Sequence, residues 1–351
     1  GKLHNTLAAL LGASLLFVVS YLGHPLSPNL YIFDFQGALR YVDWNVIFLI
    51  MGMMIVIAVV ERTGIFQWLA FQAYRLSGGR LWLMLPILML VTGVASAFLD
   101  NVTTMLLIIP VTMQIAAALK IKPIKLLLPE VFASNVGGTA TLIGDPPNMM
   151  IGSYAKLTFL DFIRHLSVFC LLILVLSMVY FIFRFHFRSA PAKQRKGRKP
   201  PKALDRAYPI ADSRLLILSL SFLGLTIVLF TLHSALNMAP CIAALIGATS
   251  LLITSRVDIV ELIEKEIDWP TLIFFMMLFI IVAAAEQSGL IQGISDWVRT
   301  MSRGSITAAI LMVLWFSALS SCLIGNIPAT ATLLPVVDHL TRTIPGTQDG
   351  I

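Results

Sequence analysis

The chain has 351 residues, of which 58% are hydrophobic and 12% are charged, and its mean hydropathy is +0.88. A water-soluble domain carries about 25% charged residues, so this chain has too little charge to cover a soluble surface. The composition excludes a cytosolic enzyme, a disordered chain and a nucleic-acid-binding module. It predicts an all-α polytopic membrane protein without enzymatic activity.

A series of apolar segments are candidate membrane helices, since about 20 apolar residues are needed to cross the hydrocarbon core. In chain order they are Leu3–Leu22, Trp44–Val60, Leu81–Leu99, Val102–Leu119, Leu126–Ile151 with a polar interruption, Phe162–Phe185, Leu215–His233, Pro240–Thr254, Pro270–Ala285, Ile306–Ile324 and Ile327–Leu340. Several are short for a full crossing. We treat 81–119 as a re-entrant hairpin, which enters and leaves on the cytoplasmic side of the membrane. A plain pair of crossings gives the same distribution of charged loops and is the alternative.

A basic linker, residues 188–213, separates two apolar blocks and contains the run PAKQRKGRKPPK. Its Lys, Arg, Gly and Pro residues cannot form a buried core, so the sequence predicts a flexible loop. The positive-inside rule places that loop in the cytoplasm of an inner or plasma membrane protein. We expect it to contact no nucleic acid.

Polar residues recur along the chain at a constant offset of 225 positions. The matching pairs are Asp43 and Asp268, Glu61 and Glu286, Gly64 and Gly289, Asn101 and Asn326, and Pro110 and Pro335. The predicted topology gives the matching segments opposite directions through the membrane, so the two halves are inverted repeats. Such repeats are typical of secondary transporters, whose sites lie where broken helices of both halves meet.

The repeats divide the chain into a first repeat (1–187), the linker (188–213) and a second repeat (214–351). The second repeat starts with Leu215–His233, which has no counterpart in the first. The first repeat extends through Leu126–Phe185, beyond the point at which the second stops. We expect the chain to be a fragment that lacks one N-terminal helix and about two C-terminal helices.

The first polar interruption, Ser96–Thr104, lies between two apolar half-helices. A carboxylate in the membrane interior costs from about 2.5 kcal/mol upward, so it normally faces a partner or a water-filled cavity. Asp100, Asn101, Thr103 and Thr104 suit an oxygen cage for a hard cation, or a proton carrier. Capping of the returning helix by Asp100 or Asn101 is the structural alternative, and both roles are compatible.

The second interruption, Ser134–Asn148, combines adjacent glycines, adjacent prolines and many side-chain oxygens. We expect this stretch to break the helix from Ser134 onward. It offers carbonyl and hydroxyl groups to a cation and helix N-terminal amides to an anion, although an extramembrane loop is the alternative. Its candidate site residues are Ser134, Asn135, Gly137, Gly138, Thr139, Thr141, Asp145, Pro147 and Asn148.

The third interruption, Ser320–Thr332, is the repeat counterpart of the first and contributes Asn326, Thr330 and Thr332 as candidates. Gly325 stands where the first repeat has Asp100, so the paired site is acidic on one side only. Glu130, in the apolar run before Ser134, is a further candidate for coupling.

Four motifs resemble the ArsB/NhaD group of the ion transporter superfamily, especially its P-protein permeases, a group that includes the citrate-transporter-like domain. They are GMMIVIAVVERTGIFQW, YRLSGGRLW, SAFLDNVTTMLLIIPVT and SNVGGTATLIGDPPNMMIG. The resemblance implies a re-entrant hairpin and a broken helix in each half, and a homodimer. It also implies a coupling ion, Na+ or H+, with Na+ held by Asn101, Thr104, Asn135 and Thr139.

The sequence thus predicts a secondary active transporter that moves a small inorganic ion or oxyanion by alternating access with cation coupling. Arsenite efflux, Na+/H+ antiport and anion transport are the open choices, and no cofactor is expected. An inorganic ion is favoured over citrate because the first tip is acidic and neither motif contains Lys or Arg. The alternatives are a channel-like anion conductance, a dicarboxylate or citrate transporter, and a non-transporting fragment.

Overall fold

The computed structural model describes residues 4–23, 25, 31–78, 80–186, 210 and 212–344, and these residues form helices without strands. Most of the predicted linker 188–213, including its basic run, lies outside the described residues. The prediction of an all-α fold is confirmed for the described part of the chain.

The first block of helices runs from α1 to α10. Its members are α1 (Asn5–Gly23), α2 (Phe35–Arg40), α3 (Trp44–Arg62), α4 (Ile65–Leu76), α5 (Leu81–Ser96), α6 (Asn101–Leu119), α7 (Ile124–Thr139), α8 (Pro146–Ala155), α9 (Phe159–Phe162) and α10 (Val168–His186), with a π-helical turn, Ile163–Ser167, joining the last two. The second block comprises α11 (Ser213–Leu232), α12 (Pro240–Ser255), α13 (Ile259–Lys265), α14 (Trp269–Gln287), α15 (Leu290–Met301), α16 (Ile306–Ile324) and α17 (Asn326–Thr343).

Seven helical segments within the described residues are long and apolar enough to cross a membrane. They are α1, α3, α6, the continuous run from α9 to α10, α11, α14 and α16. This confirms an integral, multi-pass membrane protein. The apolar segments taken from the sequence form helices in the described part of the chain, and Leu126–Ile151 is divided between α7 and α8. The shorter helices α4, α13 and α15 were not predicted because polar residues interrupt their apolar pattern.

The helices of the two blocks begin at positions that differ by the offset of the sequence repeat. Trp44–Arg62 corresponds to Trp269–Gln287, and Ile65–Leu76 corresponds to Leu290–Met301. Gly64 and Gly289 precede α4 and α15 with φ of 76° and 80°. This left-handed backbone favours glycine, which explains why both copies keep it. The inverted orientation of the two copies stays a prediction.

The chain divides into two compact units. The first contains 1–47, 153–156 and 268–351, and the second contains 48–152 and 157–267. In the first unit, α15, α16 and α17 pack around Ile291, Val298, Ala309, Val336 and Leu340.

In the second unit, α5 is the central helix. One side of α5 packs with α4 and α6 around Met84, Leu88, Ile108 and Val111. Another side packs with α7 and α10 around Leu85, Met89, Ala133, Leu174 and Phe181. This packing holds the end of α5 against α7, and the first two polar interruptions meet there.

Candidate functional site

The first hairpin tip is a short turn between α5, which ends at Ser96, and α6, which begins at Asn101. Asp100 is the N-cap residue of α6. Its carboxylate accepts hydrogen bonds from the Thr103 backbone N–H at 2.8 Å and from the Thr103 hydroxyl at 2.6 Å. A negative charge at this position is stabilised by the unpaired amides and the dipole of the helix. The capping role foreseen for this interruption therefore falls to Asp100.

The first broken helix is interrupted later than the sequence suggested. α7 continues through Ser134 to Thr139, and only residues 140–145 form a turn before α8 begins at Pro146. The prediction that the helix breaks from Ser134 onward is therefore wrong in extent. Gly137 and Gly138 stay helical because they permit a close approach, and a Cβ at Gly137 would overlap the backbone of Gly93 in α5.

The second tip is also shorter than expected. α16 continues to Ile324 and α17 begins at Asn326, so Gly325 alone separates them. Its φ of 91° and ψ of 164° lie in a backbone region that essentially only glycine adopts. The prediction of a long interruption over Ser320–Thr332 is wrong, because one glycine suffices to reverse the chain.

Side chains of the first tip and the first broken helix are joined by hydrogen bonds. The Asn101 side-chain amide donates to the Asn135 side-chain carbonyl at 3.1 Å, and the Ser134 hydroxyl donates to the Asn101 backbone carbonyl at 3.0 Å. The Ser96 and Ser134 hydroxyls lie 3.2 Å apart. Residues that are more than 30 positions apart in sequence thus form one cluster, as the sequence motifs had suggested.

The turn after α7 is held by side chains of both elements. The Asn148 side-chain amide donates to the carbonyls of Gly138 at 3.1 Å, Thr139 at 3.3 Å and Thr141 at 2.8 Å. The Thr141 hydroxyl donates to the carbonyl of Ala97 in the first tip. Asn148 and Thr141 are buried, so their hydrogen bonds fix the conformation of the turn.

At Gly144, in the same turn, two backbone carbonyl groups pack closely against the chain. A Cβ there would lie 2.5 Å from the Gly138 carbonyl oxygen and 2.8 Å from the Ser96 carbonyl oxygen. Pro147 is buried in the first turn of α8, where its missing N–H costs no helical hydrogen bond.

The electrostatic character of this cluster is acidic. Asp100 and Asp145 are both partly buried and lie close enough for their carboxylates to repel each other. Neither 97–104 nor 134–148 contains Lys, Arg or His to offset these charges. Asn135 and Thr139 are exposed on one face of α7. A cation is the ligand that two neighbouring carboxylates and several side-chain oxygens favour.

The four residues expected to hold Na+ differ in the hydrogen bonds that their side chains already make. The Thr104 hydroxyl is buried without a hydrogen-bond partner, which fits a group that awaits a ligand. The Asn101 side-chain amide donates to the Asn135 side-chain carbonyl, and the Thr139 hydroxyl donates to the Asn135 backbone carbonyl at 2.9 Å. A cation would therefore compete with a hydrogen bond at the Asn135 side-chain oxygen, whereas Asn101 and Thr139 act as donors in these bonds and keep their oxygen lone pairs. The described residues contain no cluster of three or more His, Cys, Asp or Glu side chains.

The candidates of the second tip lie in the other compact unit. The Ser321 hydroxyl donates to the Asn326 side-chain carbonyl at 2.5 Å, and the Thr332 hydroxyl donates to the Pro328 carbonyl at 2.8 Å. Thr330 is partly buried in α17. Asn326 is exposed beside Gly325, and no side chain caps this helix. The two tips therefore differ in local geometry as well as in charge.

Two α5 residues were not predicted to take part in the site: Gly93, whose backbone would overlap a Cβ at Gly137, and Ser96, whose hydroxyl contacts that of Ser134. Both are small residues three positions apart on a helix that is otherwise apolar. Small residues on one face of a membrane helix are a known sign of close helix packing, and this signal could have indicated the α5–α7 contact.

The family model described as Citrate transporter matches residues 1–349. The chain belongs to the citrate transporter family. This membership confirms the resemblance to the ion transporter superfamily and, with the seven candidate spans, identifies a multi-pass membrane transporter.

Relatives of this citrate transporter family member include bacterial and animal proteins. An uncharacterized transporter of Mycobacterium bovis is 36% identical over 345 residues, covering 98% of this chain and 78% of that protein. The 46 kDa membrane protein of Mycobacterium leprae is 35% identical over 344 residues, covering 98% and 78%. The P protein of Homo sapiens is 31% identical over 415 aligned positions, covering 97% of this chain and 49% of that protein.

Proposed function

We propose that the protein is a secondary active transporter that moves a small inorganic ion or oxyanion by alternating access, driven by a cation. Asp100 and Asn101 hold the coupling cation, Na+ or H+, and the stretch from Ser134 to Asn148 supplies the backbone of the substrate site. The candidate residues of the second repeat, Asn326, Thr330 and Thr332, offer uncharged groups only. A homodimer, implied by the family resemblance, belongs to the same proposal.

One observation carries the proposal: the hairpin tip and the broken helix join into a single cluster that is rich in oxygen and contains no cationic residue. Asp100 and Asp145 supply two carboxylates, and the Asn101–Asn135 bond ties the two elements together. Binding a cation neutralises the carboxylates, and only then can an anion approach the cluster. Substrate binding and cation binding are thereby coupled.

Citrate transport is the second candidate, because the matching family model is described as Citrate transporter. A tricarboxylate would have to meet two carboxylates without a Lys or Arg partner in either motif. Citrate therefore requires at least one cation bound beside it, whereas neutral arsenite does not. The structure of the cluster favours the smaller or less charged substrate.

Uptake into proteoliposomes tests these alternatives. Radiolabelled arsenite, phosphate and citrate are offered separately, with an inward Na+ gradient, an inward proton gradient or no gradient. We expect one inorganic solute to accumulate above its external concentration only when a cation gradient is present. Accumulation of citrate alone would replace the inorganic substrate by citrate, and passive equilibration with large currents would indicate a channel.

A further inference from the structure

Beyond the hairpin tip, the second unit contains a buried carboxyl group that the proposed cation site does not use. Glu130 lies in the middle of α7 and has no exposed surface. One carboxyl oxygen, Oε1, accepts a hydrogen bond from the Thr112 hydroxyl of α6 at 2.8 Å. The other oxygen, Oε2, is buried without a hydrogen-bond partner. Burying a carboxyl group with one unpartnered oxygen costs free energy, which points to a role for Glu130 beyond packing.

No positive charge accounts for it. α5 and α6, which pack against α7, contain no Asp, Glu, Lys, Arg or His; Asp100 precedes α6. On α10, which also packs against α7, Tyr180 and Arg184 are exposed and Cys170 is a buried thiol. Lys125 is partly exposed, more than one turn before Glu130 on α7. Among the described side chains, Thr112 is the one that bonds to the carboxyl, so an ion pair does not explain Glu130.

Glu130 instead lies in a stripe of fully buried polar side chains, which we name the polar stripe. It consists of Thr92 and Ser96 on α5, Thr112 on α6, and Glu130 and Ser134 on α7, and all five are 0% exposed. Glu130 and Ser134 are one helical turn apart and share a face of α7, as do Thr92 and Ser96 on α5. The Thr92 hydroxyl, like Oε2, has no hydrogen-bond partner.

The polar stripe ends at the hairpin tip. Ser134 contacts the Ser96 hydroxyl and donates to the backbone carbonyl of Asn101. Glu130, which accepts a hydrogen bond from Thr112, lies one helical turn of α7 from Ser134, and Asn101 directly follows Asp100. A change of charge at the tip and a change at Glu130 therefore act on neighbouring polar groups. Hydroxyl groups both donate and accept, and they can therefore relay a rearrangement along the stripe.

We propose that Glu130 is a proton-binding site, at which Oε2 takes up and releases a proton that drives transport together with the cation at Asp100, and that the polar stripe couples this step to the first hairpin tip. The inference rests on the proposed function and deepens it, because it names H+ as a coupling ion and assigns its site. The neutral carboxylic acid is the form suited to the closed interior. Release requires water to reach Oε2, which ties proton exchange to a change of conformation.

Infrared difference spectroscopy on the purified protein tests proton binding without any transport. Spectra at low and high pH are compared for the wild type, Glu130→Gln and the control Glu264→Gln, whose side chain is exposed. We expect a carboxylic-acid C=O band that is absent in Glu130→Gln and present in the control. Thr112→Val, which removes the hydrogen bond to Oε1, should move this band to higher frequency. Spectra of Glu130→Gln identical to those of the wild type would overturn the proposal, as would an unshifted band in Thr112→Val.

Transport assays test the coupling. Glu130→Gln should reduce uptake driven by a proton gradient by about tenfold, within the usual range of coupling between two sites. It should leave exchange of labelled for unlabelled substrate intact, because exchange moves no net proton, and Glu130→Asp should restore part of the driven uptake. Driven uptake that persists in Glu130→Gln would refute this role and leave the proposed function standing. Absence of uptake by the wild type would refute the proposed function, and the infrared band would still decide whether Glu130 binds a proton.

Discussion

Replacing Gly137 by alanine tests the helix contact that positions the candidate site. A Cβ at Gly137 would overlap the Gly93 carbonyl oxygen and would lie 2.7 Å from the Gly93 Cα. These atoms belong to the backbone of α5 and cannot rotate away, so the two helices must separate. Overpacking of this kind typically costs about 1–3 kcal/mol, and the severity of the overlap places Gly137→Ala at about 3 kcal/mol.

Gly224→Ala is the matched control, because it makes the same chemical change in the interior of another helix. A Cβ at Gly224 would meet nothing within 4 Å. Alanine is favoured over glycine in helices by about 1 kcal/mol, so the control should be neutral or slightly stabilising. The same propensity gain partly offsets the clash at Gly137, which leaves a net loss of about 2 kcal/mol there.

Thermal unfolding in detergent, at one fixed heating rate, measures the difference. We expect the apparent Tm of Gly137→Ala to fall below that of Gly224→Ala by an amount on the order of 5 °C. Gly137→Ala should also lose substrate binding, since separating α5 from α7 disrupts the Ser96–Ser134 contact. Equal Tm values for the two variants would refute the close-contact explanation of Gly137.

Two further substitutions probe the second tip and the turn after α7. Gly325→Asp places a carboxylate where the first repeat has Asp100. We expect it to lower stability by about 1–3 kcal/mol and to add no cation site, because the backbone region of Gly325 excludes other residues. Increased cation affinity in calorimetry would contradict this. Asn148→Asp replaces the amide group that donates to the Gly138 and Thr141 carbonyls with a carboxylate, which only accepts. We expect Asn148→Ala to lower the stability of the fold by about 1–3 kcal/mol and Asn148→Asp to lower it further. Equal unfolding temperatures for the Asp and Ala variants would show that these bonds contribute little.

The positions of the helices could be predicted from the sequence because membrane burial demands long apolar runs. Ile306–Ile324 is reproduced without change. Most other apolar segments differ by a few residues at their ends, whereas Leu126–Ile151 is divided between α7 and α8. The 225-residue offset likewise predicts the starts of α16 and α17 from those of α5 and α6. Apolar runs and repeats are properties of the linear chain, so they can be read directly from it.

The extent of the polar interruptions could not be predicted in this way. Ser134 and Gly137 are poor helix formers in isolation, yet α7 continues through them because α5 packs closely against their small side chains. Tertiary contact overrides helix propensity here. Glu130 was recognised as unusual from its apolar neighbours, but its bond to Thr112 required the packing of α6 on α7.

The central claim, that Asp100 holds the coupling cation, is tested most directly by comparing Asp100→Asn with Asp268→Asn in gradient-driven uptake. Both aspartates cap a helix and accept from the backbone N–H and the hydroxyl of a threonine three residues on. Asparagine caps about as well as aspartate, so both variants should fold, and each loses one charge. We predict that Asp100→Asn abolishes cation-driven uptake while Asp268→Asn retains it. Wild-type uptake in Asp100→Asn would contradict the account.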